Sequence, residues 1–343
     1  MTKTDAPSSP PALSPDPPPA VIVAGPTASG KSALAAALAA RLPGTVINAD
    51  SMQIYRDLPV LSAQPDAPAT GGDVPHRLYG RLDAAERCSA GRWRALALAE
   101  MEAARGEGRV PLLCGGTGLY LKALTEGIAA LPPIPAELRE RAVRRLAALG
   151  PAGLHAELLG RDPTTAAKLH PNDRQRLQRA WEVLEATGRG LADWQAAPNA
   201  AGPAPWRFLW LVLLPPRAAL AAACDTRFEA MVAAGAVEEV RRLLARGLDP
   251  RLPAMKALGV SELADHLSGK VTLEEAVAAA QQATRRYAKR QATWLRTQVL
   301  RHIKNAYVME TQFSEYQLPE TFSKVDEFLL TTRTPKDRVL DLD

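Results

Sequence analysis

Val21-Ile22-Val23-Ala24 runs directly into Gly25-Pro26-Thr27-Ala28-Ser29-Gly30-Lys31-Ser32, and an alanine- and leucine-rich stretch to Leu42 follows. A short apolar run reads as a buried strand, and the Ala/Leu stretch reads as a helix. The eight residues between them fit the pattern G-x-x-x-x-G-K-[ST], in the strand-to-helix setting that the pattern requires. Its chemistry is direct. Backbone N–H groups of the turn and the positive end of the helix dipole form a nest for phosphate oxygens. Lys31 adds a point charge, and the Ser32 hydroxyl is a candidate Mg²⁺ ligand. The loop, Gly25 to Ser32, therefore predicts a diphosphate or triphosphate site without saying that the ligand is a nucleotide.

Working outward, Thr45 to Ala49 is a second strand candidate ending at Asp50, and Val110 to Cys114 is a third, followed by Gly115-Gly116. Helical periodicity lies between them over Trp93 to Glu107 and resumes from about Leu119. Strands alternating with helices indicate a parallel sheet with crossover helices. In such sheets ligands lie outside the carboxyl ends of the strands. Asp50 is thus expected in the same crevice as the phosphate loop, as a general base, a ligand of hydrated magnesium or a simple turn-capping residue. Leu131-Pro132-Pro133-Ile134-Pro135 breaks the pattern. Residues 136 to about 195 read as helix with arginine-rich faces, Phe208 to Leu214 as a returning strand, and Ala218 to Leu300 as helix again. The fold class is α/β: a P-loop NTPase-like parallel-sheet core with an inserted helical domain and C-terminal helices. The expected division is a core of 20–130 with 205–300 and an insertion of 131–204.

Composition sets the outer limits. The 343 residues are 47% hydrophobic and 23% charged, enough apolar material for a large core in an ordinary globular chain. The net charge of +5 hints at an anionic partner. Cys88, Cys114 and Cys224 have neither disulfide nor zinc spacing, which fits a reduced, cytoplasmic compartment. No apolar run approaches the roughly 20 residues that span a bilayer, so no membrane partner is expected, and the chain is expected to be a monomer. Residues 1–19 form a Pro- and Ser-rich leader expected to stay disordered. Beyond Leu300, Ala306 is the only alanine. Residues 301–343 read as a divergent tail, either poorly structured or of separate evolutionary history.

The segments GPTASGKS (25–32), NADSMQIYR (48–56), PHRLYG (75–80) and PLLCGGTGLYLKAL (111–124), then HPNDRQRLQRAWEV (170–183), RFEAMVAAGAVEEV (227–240) and KRQATWLR (289–296), together resemble the tRNA dimethylallyltransferase family. The resemblance spans about Val21 to Leu300. It implies transfer of a dimethylallyl group from dimethylallyl diphosphate to N6 of the adenosine 3′ of the anticodon. It further implies Asp50 as the base, Thr117 as a contact to the reacting adenosine, and Arg227 with Lys31, the loop N–H groups and Mg²⁺ on the leaving diphosphate. The sequence departs from the family's pattern at Ser62-Ala63-Gln64-Pro65, where a lysine is usual at 64. Cys88 and Trp93 replace tyrosine and phenylalanine, and Val260 replaces tyrosine.

For the tRNA anticodon stem-loop, the expected contacts are Asp50, Ser51, Met52, Gln53 and Thr117 in the crevice. Arg139, Gln175, Arg176, Leu177, Gln178 and Arg179 are added from the insertion, with Arg144 and Arg174 nearby. Arg285, Lys289, Arg290 and Arg296, with Arg286, form a basic stripe on one predicted helix, suited to phosphate backbone. Tyr287 and Trp294 flank it. A solvated charged face is the alternative reading of that stripe. Two rival functions share parts of this pattern: a small-molecule P-loop kinase, and an RNA-binding module with a decayed site.

Overall fold

The computed structural model describes residues 16–65, 74–129, 131–197, 201–303 and 306–331. Most of the expected leader, residues 1–15, lies outside the described residues, as do 332–343.

In chain order, β1 (Pro19–Ala24) leads through the phosphate loop into α1 (Lys31–Arg41), then β2 (Gly44–Asn48), β3 (His76–Arg77), α2 (Ala90–Gly106), β4 (Val110–Gly115) and α3 (Gly118–Thr125). The helices α4 (Ala136–Arg161), α5 (Pro163–Ala166), α6 (Arg174–Thr187) and α7 (Leu191–Ala196) follow. The chain returns through β5 (Arg207–Leu213) to α8 (Arg217–Ala233), α9 (Ala236–Ala245), α10 (Val260–Leu267) and α11 (Leu273–Trp294). It ends with β6 (Ala306–Met309) and α12 (Leu318–Leu330). The chain divides into two compact units, Met1–Leu121 with Pro205–Asp343 and Lys122–Ala204. The helical unit thus begins at Lys122, nine residues before the proline-rich break that suggested its start.

The first unit is built on a six-stranded sheet of order β3-β2-β4-β1-β5-β6, all of whose pairings are parallel. The strands are short apolar runs because both faces are covered. Val21, Val23, Leu112, Leu211 and Leu213 pack with Leu34 and Leu38 of α1, while Ile22, Ile47 and Leu113 are equally buried on the other face. α2 contributes a fully buried Trp93 and Met101 to this unit. Parallel order places the carboxyl ends of β1, β2 and β4, and the loops that follow them, along one edge of the sheet.

The end of the chain corrects the sequence reading. β6 pairs with β5 from Trp210–Ala306 to Leu213–Met309 and forms the edge of the sheet. α12 lays a fully buried Val325 and Thr321 onto the core cluster of Val21, Leu34 and Leu213. Arg41 reaches Asp326 at 3.2 Å and lies over the Phe322 ring, and Arg207 lies over Phe328. The composition shift after Leu300 therefore marks a sheet strand and its covering helix, not a loose tail. At the other end, Pro19 already belongs to β1.

In the second unit, α4 turns at Gly150-Pro151, where Gly150 has φ 66°. Leu146, Leu154, Leu158, Leu177 and Trp181 form its core. Asp173 caps α6 through the Arg176 N–H, and Gly188 ends that helix in the left-handed region. Among the described residues no helix is long and apolar enough to cross a membrane.

If α12 is part of the folded core, Val325→Ala removes buried methyl groups and should destabilise the chain by about 2 kcal/mol. Chemical denaturation checks this. An unchanged midpoint would mean that the helix contributes nothing to the core.

Candidate active site

The phosphate loop leaves β1 and enters α1 at Gly30, whose φ of 89° is the left-handed conformation that starts the helix without a side-chain cap. The first-turn N–H groups are left for a ligand. Two loop N–H groups are already engaged. That of Ser29 donates to the Pro26 carbonyl at 3.3 Å, and that of Thr27 donates to Gln291 Oε1 at 2.8 Å. The Ser29 hydroxyl is buried, whereas Ser32 is exposed at the mouth. A cavity of about 310 Å³ opens here, lined by Ala28, Lys31, Ser32, Arg227, Gln312 and Phe313, among others.

Lys31 is buried, and among the described residues its Nζ donates only to the Pro26 carbonyl, at 3.3 Å. Arg227, projected by α8, donates to the Ser62 carbonyl at 3.4 Å. Neither forms an ion pair among the described residues. Burial lowers the pKa of both, and Asp50 opposes that in each case. Cys114, next to Lys31, supplies no countercharge, because burial pushes its thiol up to about 11. Burial likewise keeps Tyr79 protonated. Two cations thus stand in the crevice with Asp50 as the one carboxylate acting on both.

Asp50 sits two residues beyond Asn48, the last residue of β2. Asn48 accepts the Asp50 N–H at 2.7 Å and donates to the Asp50 and Leu78 carbonyls. Trp93, in the position where the family usually has phenylalanine, donates its indole N–H to the Asn48 carbonyl at 2.9 Å and stacks on Tyr120 with 4.6 Å between centroids. Asp50 Oδ1 accepts the Met52 N–H at 2.9 Å, and its Oδ2 has no hydrogen-bond partner among the described residues. Thr117 Oγ1 accepts the Ser51 N–H at 2.9 Å and lies 3.3 Å from Ser51 Oγ. The loops after β2 and β4 are thereby joined at Ser51 and Thr117, two of the residues expected to meet the acceptor.

Gln291 was not singled out in the sequence, yet it ties the loops after β1 and β4 together. Besides accepting from Thr27, it donates to the Gly116 carbonyl at 3.0 Å. A Cβ on Gly116 would come within 2.4 Å of the Gln291 amide, and one on Gly118 within 2.4 Å of the Trp294 ring. Gly116 and Gly118 are therefore where α11 presses on the loop. Tyr287, on the same helix, lies near Thr117 and Gln291, and burial, reinforced by Asp50, pushes its hydroxyl up to about 12 against the effect of both. Trp294 thus packs on the crevice loop, and Tyr287 lies between that crevice and the stripe, with Arg290 over its ring. Glu239 of α9 pins the loop that carries Ser62 by accepting the Val60 and Leu61 N–H groups at 2.7 and 2.9 Å. Gln64, where a lysine is usual, donates to the Tyr55 carbonyl at 2.8 Å and so braces the same loop.

The expected RNA contacts divide. Arg286, Lys289, Arg290 and Arg296 are exposed and form no ion pair among the described residues. Arg296 lies in a π-helical turn, Leu295–Val299, where 100° per residue no longer holds. Arg285 instead pairs with Asp225, tying α11 to α8. Arg139, Arg174, Gln175 and Arg176 are exposed, Arg176 while paired with Asp173 at 3.4 Å, whereas Gln178 and Arg179 engage Glu182. Two assignments fail on burial. Leu177 is fully buried in the helical unit's core, and the Gln53 amide points inward to the Ser62 and Ala63 carbonyls. Neither side chain is available to RNA. Among the described residues no acidic or histidine cluster could hold a metal. The exposed Ser32 hydroxyl is the side chain here that would hold Mg²⁺ beside a bound phosphate.

The family model described as IPP transferase matches residues 53–298, and one described as isopentenyl transferase matches 19–73. The tRNA dimethylallyltransferase of Rhodospirillum rubrum is 56% identical over 94% of this chain and 98% of its own length. That of Rhodospirillum centenum is 60% identical over 82% of this chain and 89% of its own. Among solved structures, the tRNA isopentenylpyrophosphate transferase of Bacillus halodurans is 32% identical with a TM-score of 0.62, covering 90% of this chain and 97% of its own. A eukaryotic dimethylallyltransferase acting on tRNA has a TM-score of 0.76 at 26% identity, covering 93% of this chain and 83% of its own.

A bound anion favours charged Lys31 and so raises the pKa that burial had lowered. Below the free-site pKa the lysine is charged with or without ligand, and affinity is level with pH. Above it, binding takes up a proton and affinity falls as pH rises. Calorimetry with inorganic diphosphate should therefore show alkaline proton uptake in excess of that in Lys31→Ala, a comparison in which the ligand's own titration cancels. Equal uptake in both proteins would contradict an unbalanced Lys31.

Proposed function

The chain belongs to the IPP transferase family, and from that premise we propose that it transfers a dimethylallyl group from dimethylallyl diphosphate to N6 of the adenosine 3′ of the tRNA anticodon. The observation that carries this reading is the pair of cations, Lys31 and Arg227, that among the described residues have no ion-pair partners and share the influence of Asp50, a carboxylate with an open oxygen. An adenine amine is a weak nucleophile, since its lone pair is delocalised into the ring. As that lone pair forms the N–C bond, the C–O bond to the diphosphate breaks and its electrons leave with the diphosphate oxygen. Asp50 takes the amine proton. Lys31, Arg227 and the free N–H groups of the loop meet the negative charge that grows on the leaving group, where preorganised charge is most effective. Thr117, fixed against Ser51, contacts the adenosine beside the base. When Mg²⁺ is bound, it supplies further charge on the diphosphate. Only a base drawn out of the anticodon-loop stack can enter such a crevice.

The exposed Arg286, Lys289, Arg290 and Arg296 of the first unit, and Arg139, Arg174 and Arg176 of the second, are assigned to tRNA phosphates. A small-molecule kinase has no use for these surfaces. The relatives named above are transferases acting on tRNA.

Asp50→Asn keeps an acceptor for the Met52 N–H but cannot take a proton. It should slow transfer by about 10²–10⁴-fold with tRNA affinity nearly intact, as read from single-turnover transfer and filter binding. Wild-type rates would remove Asp50 from the chemistry.

Each phosphate contact releases counterions, so log affinity for tRNA should fall with log salt at about −0.7 to −0.9 per contact. Replacing Lys289 and Arg296 together by alanine should flatten that slope by roughly one to two units while saturated turnover changes little. Identical slopes would leave these residues as a solvated face.

A further inference from the structure

The chain leaving β6 crosses the mouth of the donor loop. The Phe313 N–H donates to the Ser29 carbonyl at 3.4 Å, and the Gln312 amide donates to the Ala28 and Ala219 carbonyls at 3.4 and 3.5 Å. The contact is close: a Cβ built on Gly30 would lie 2.7 Å from Phe313 Cβ. Phe313 also packs against the core cluster, and both residues line the cavity at Lys31.

Sheet order fixes which flank this segment closes. Asp50 follows β2 and Thr117 follows β4, both on one side of β1. Gln312 and Phe313 follow β6, two strands away on the other side. β2 and β6 are four strand spacings apart, roughly 19 Å at about 4.8 Å each. The acceptor chemistry thus lies on one flank of the loop and the Gln312–Phe313 segment on the opposite one.

The two flanks are used differently by different phosphate esters. A prenyl diphosphate carries its organic group at one end and stops at its second phosphorus, so it needs a single open flank. A nucleoside triphosphate that donates its terminal phosphoryl group needs both, one for the acceptor and the other for the nucleoside. We propose that Gln312 and Phe313 form a wall on the β6 side of the loop that selects donors ending at their diphosphate and rejects nucleoside triphosphates. Discrimination of this kind comes from an obstruction to the wrong ligand and not from added contacts to the right one. The inference rests on the prenyl diphosphate reading above and adds to it the element that excludes ATP.

The test is calorimetric titration of the full chain, without tRNA and in one magnesium-containing buffer, with inorganic diphosphate and with ATP. Wild type should bind diphosphate on the order of tenfold or more tightly than ATP. Phe313→Ala should shift the ratio of the two affinities toward ATP by on the order of tenfold, a change of about 1.4 kcal/mol. Gln312→Ala, whose side chain anchors the segment without belonging to the core cluster, should shift it in the same direction and serves if Phe313→Ala folds poorly. Equal wild-type affinities for the two ligands, or an unchanged ratio in the folded variants, would overturn the wall while leaving the donor site standing. Absence of diphosphate binding in wild type would overturn the donor-site reading and the wall with it.

Discussion

A buried lysine with no ion-pair partner among the described residues is the constraint on which this molecule turns. Taking an ammonium out of water costs several kcal/mol unless an opposite charge is supplied. Beside Lys31 the protein places a group that stays neutral, the Cys114 thiol raised by burial, with Tyr79, likewise held protonated, next to that thiol. It then adds a second cation, Arg227, from a separate helix. The parallel sheet makes this possible, since it delivers three loops to one edge where helix α1 also presents its free N–H groups. A ligand carrying a diphosphate completes the arrangement, and the folded state is tuned to receive it.

Around that point the structure is spent on holding loops in register. Gln291 joins the donor loop to Gly116, Thr117 joins Gly116's neighbours to the segment after β2, and Trp93 steadies Asn48 beneath Asp50. All are hydrogen bonds between elements far apart in sequence, and together they fix the crevice. Glu239 and Gln64 do the same for the loop that carries Ser62, to which Arg227 is anchored. Groups aligned in this way cost no rearrangement at the moment of transfer.

What the sequence made legible was local or periodic. The phosphate loop is a contiguous pattern between a strand and a helix, and Asp50 follows from strand topology. Thr117 and Arg227 carried no local signal and came only through family resemblance. Gln291 and Trp93 were invisible because their roles are long-range bonds, and a glutamine among arginines on a helix looks like surface. Leu177 and Gln53 were misplaced for the converse reason: they sit among polar motif residues, while packing turns both inward. Arg285 fits a basic stripe by angle, yet Asp225 claims it. The strand β6 and helix α12 escaped notice because the composition changes there, although alternation and packing do not require alanine.

The account stands most directly on where the prenyl group goes. Purified protein would be incubated with unmodified tRNA and isotopically labelled dimethylallyl diphosphate, and the tRNA digested and analysed by mass spectrometry of oligonucleotides and nucleosides. The account predicts one labelled dimethylallyl group on N6 of the adenosine 3′ of the anticodon, with diphosphate released in equal amount. Unlabelled tRNA, or label placed outside the anticodon loop, would contradict it.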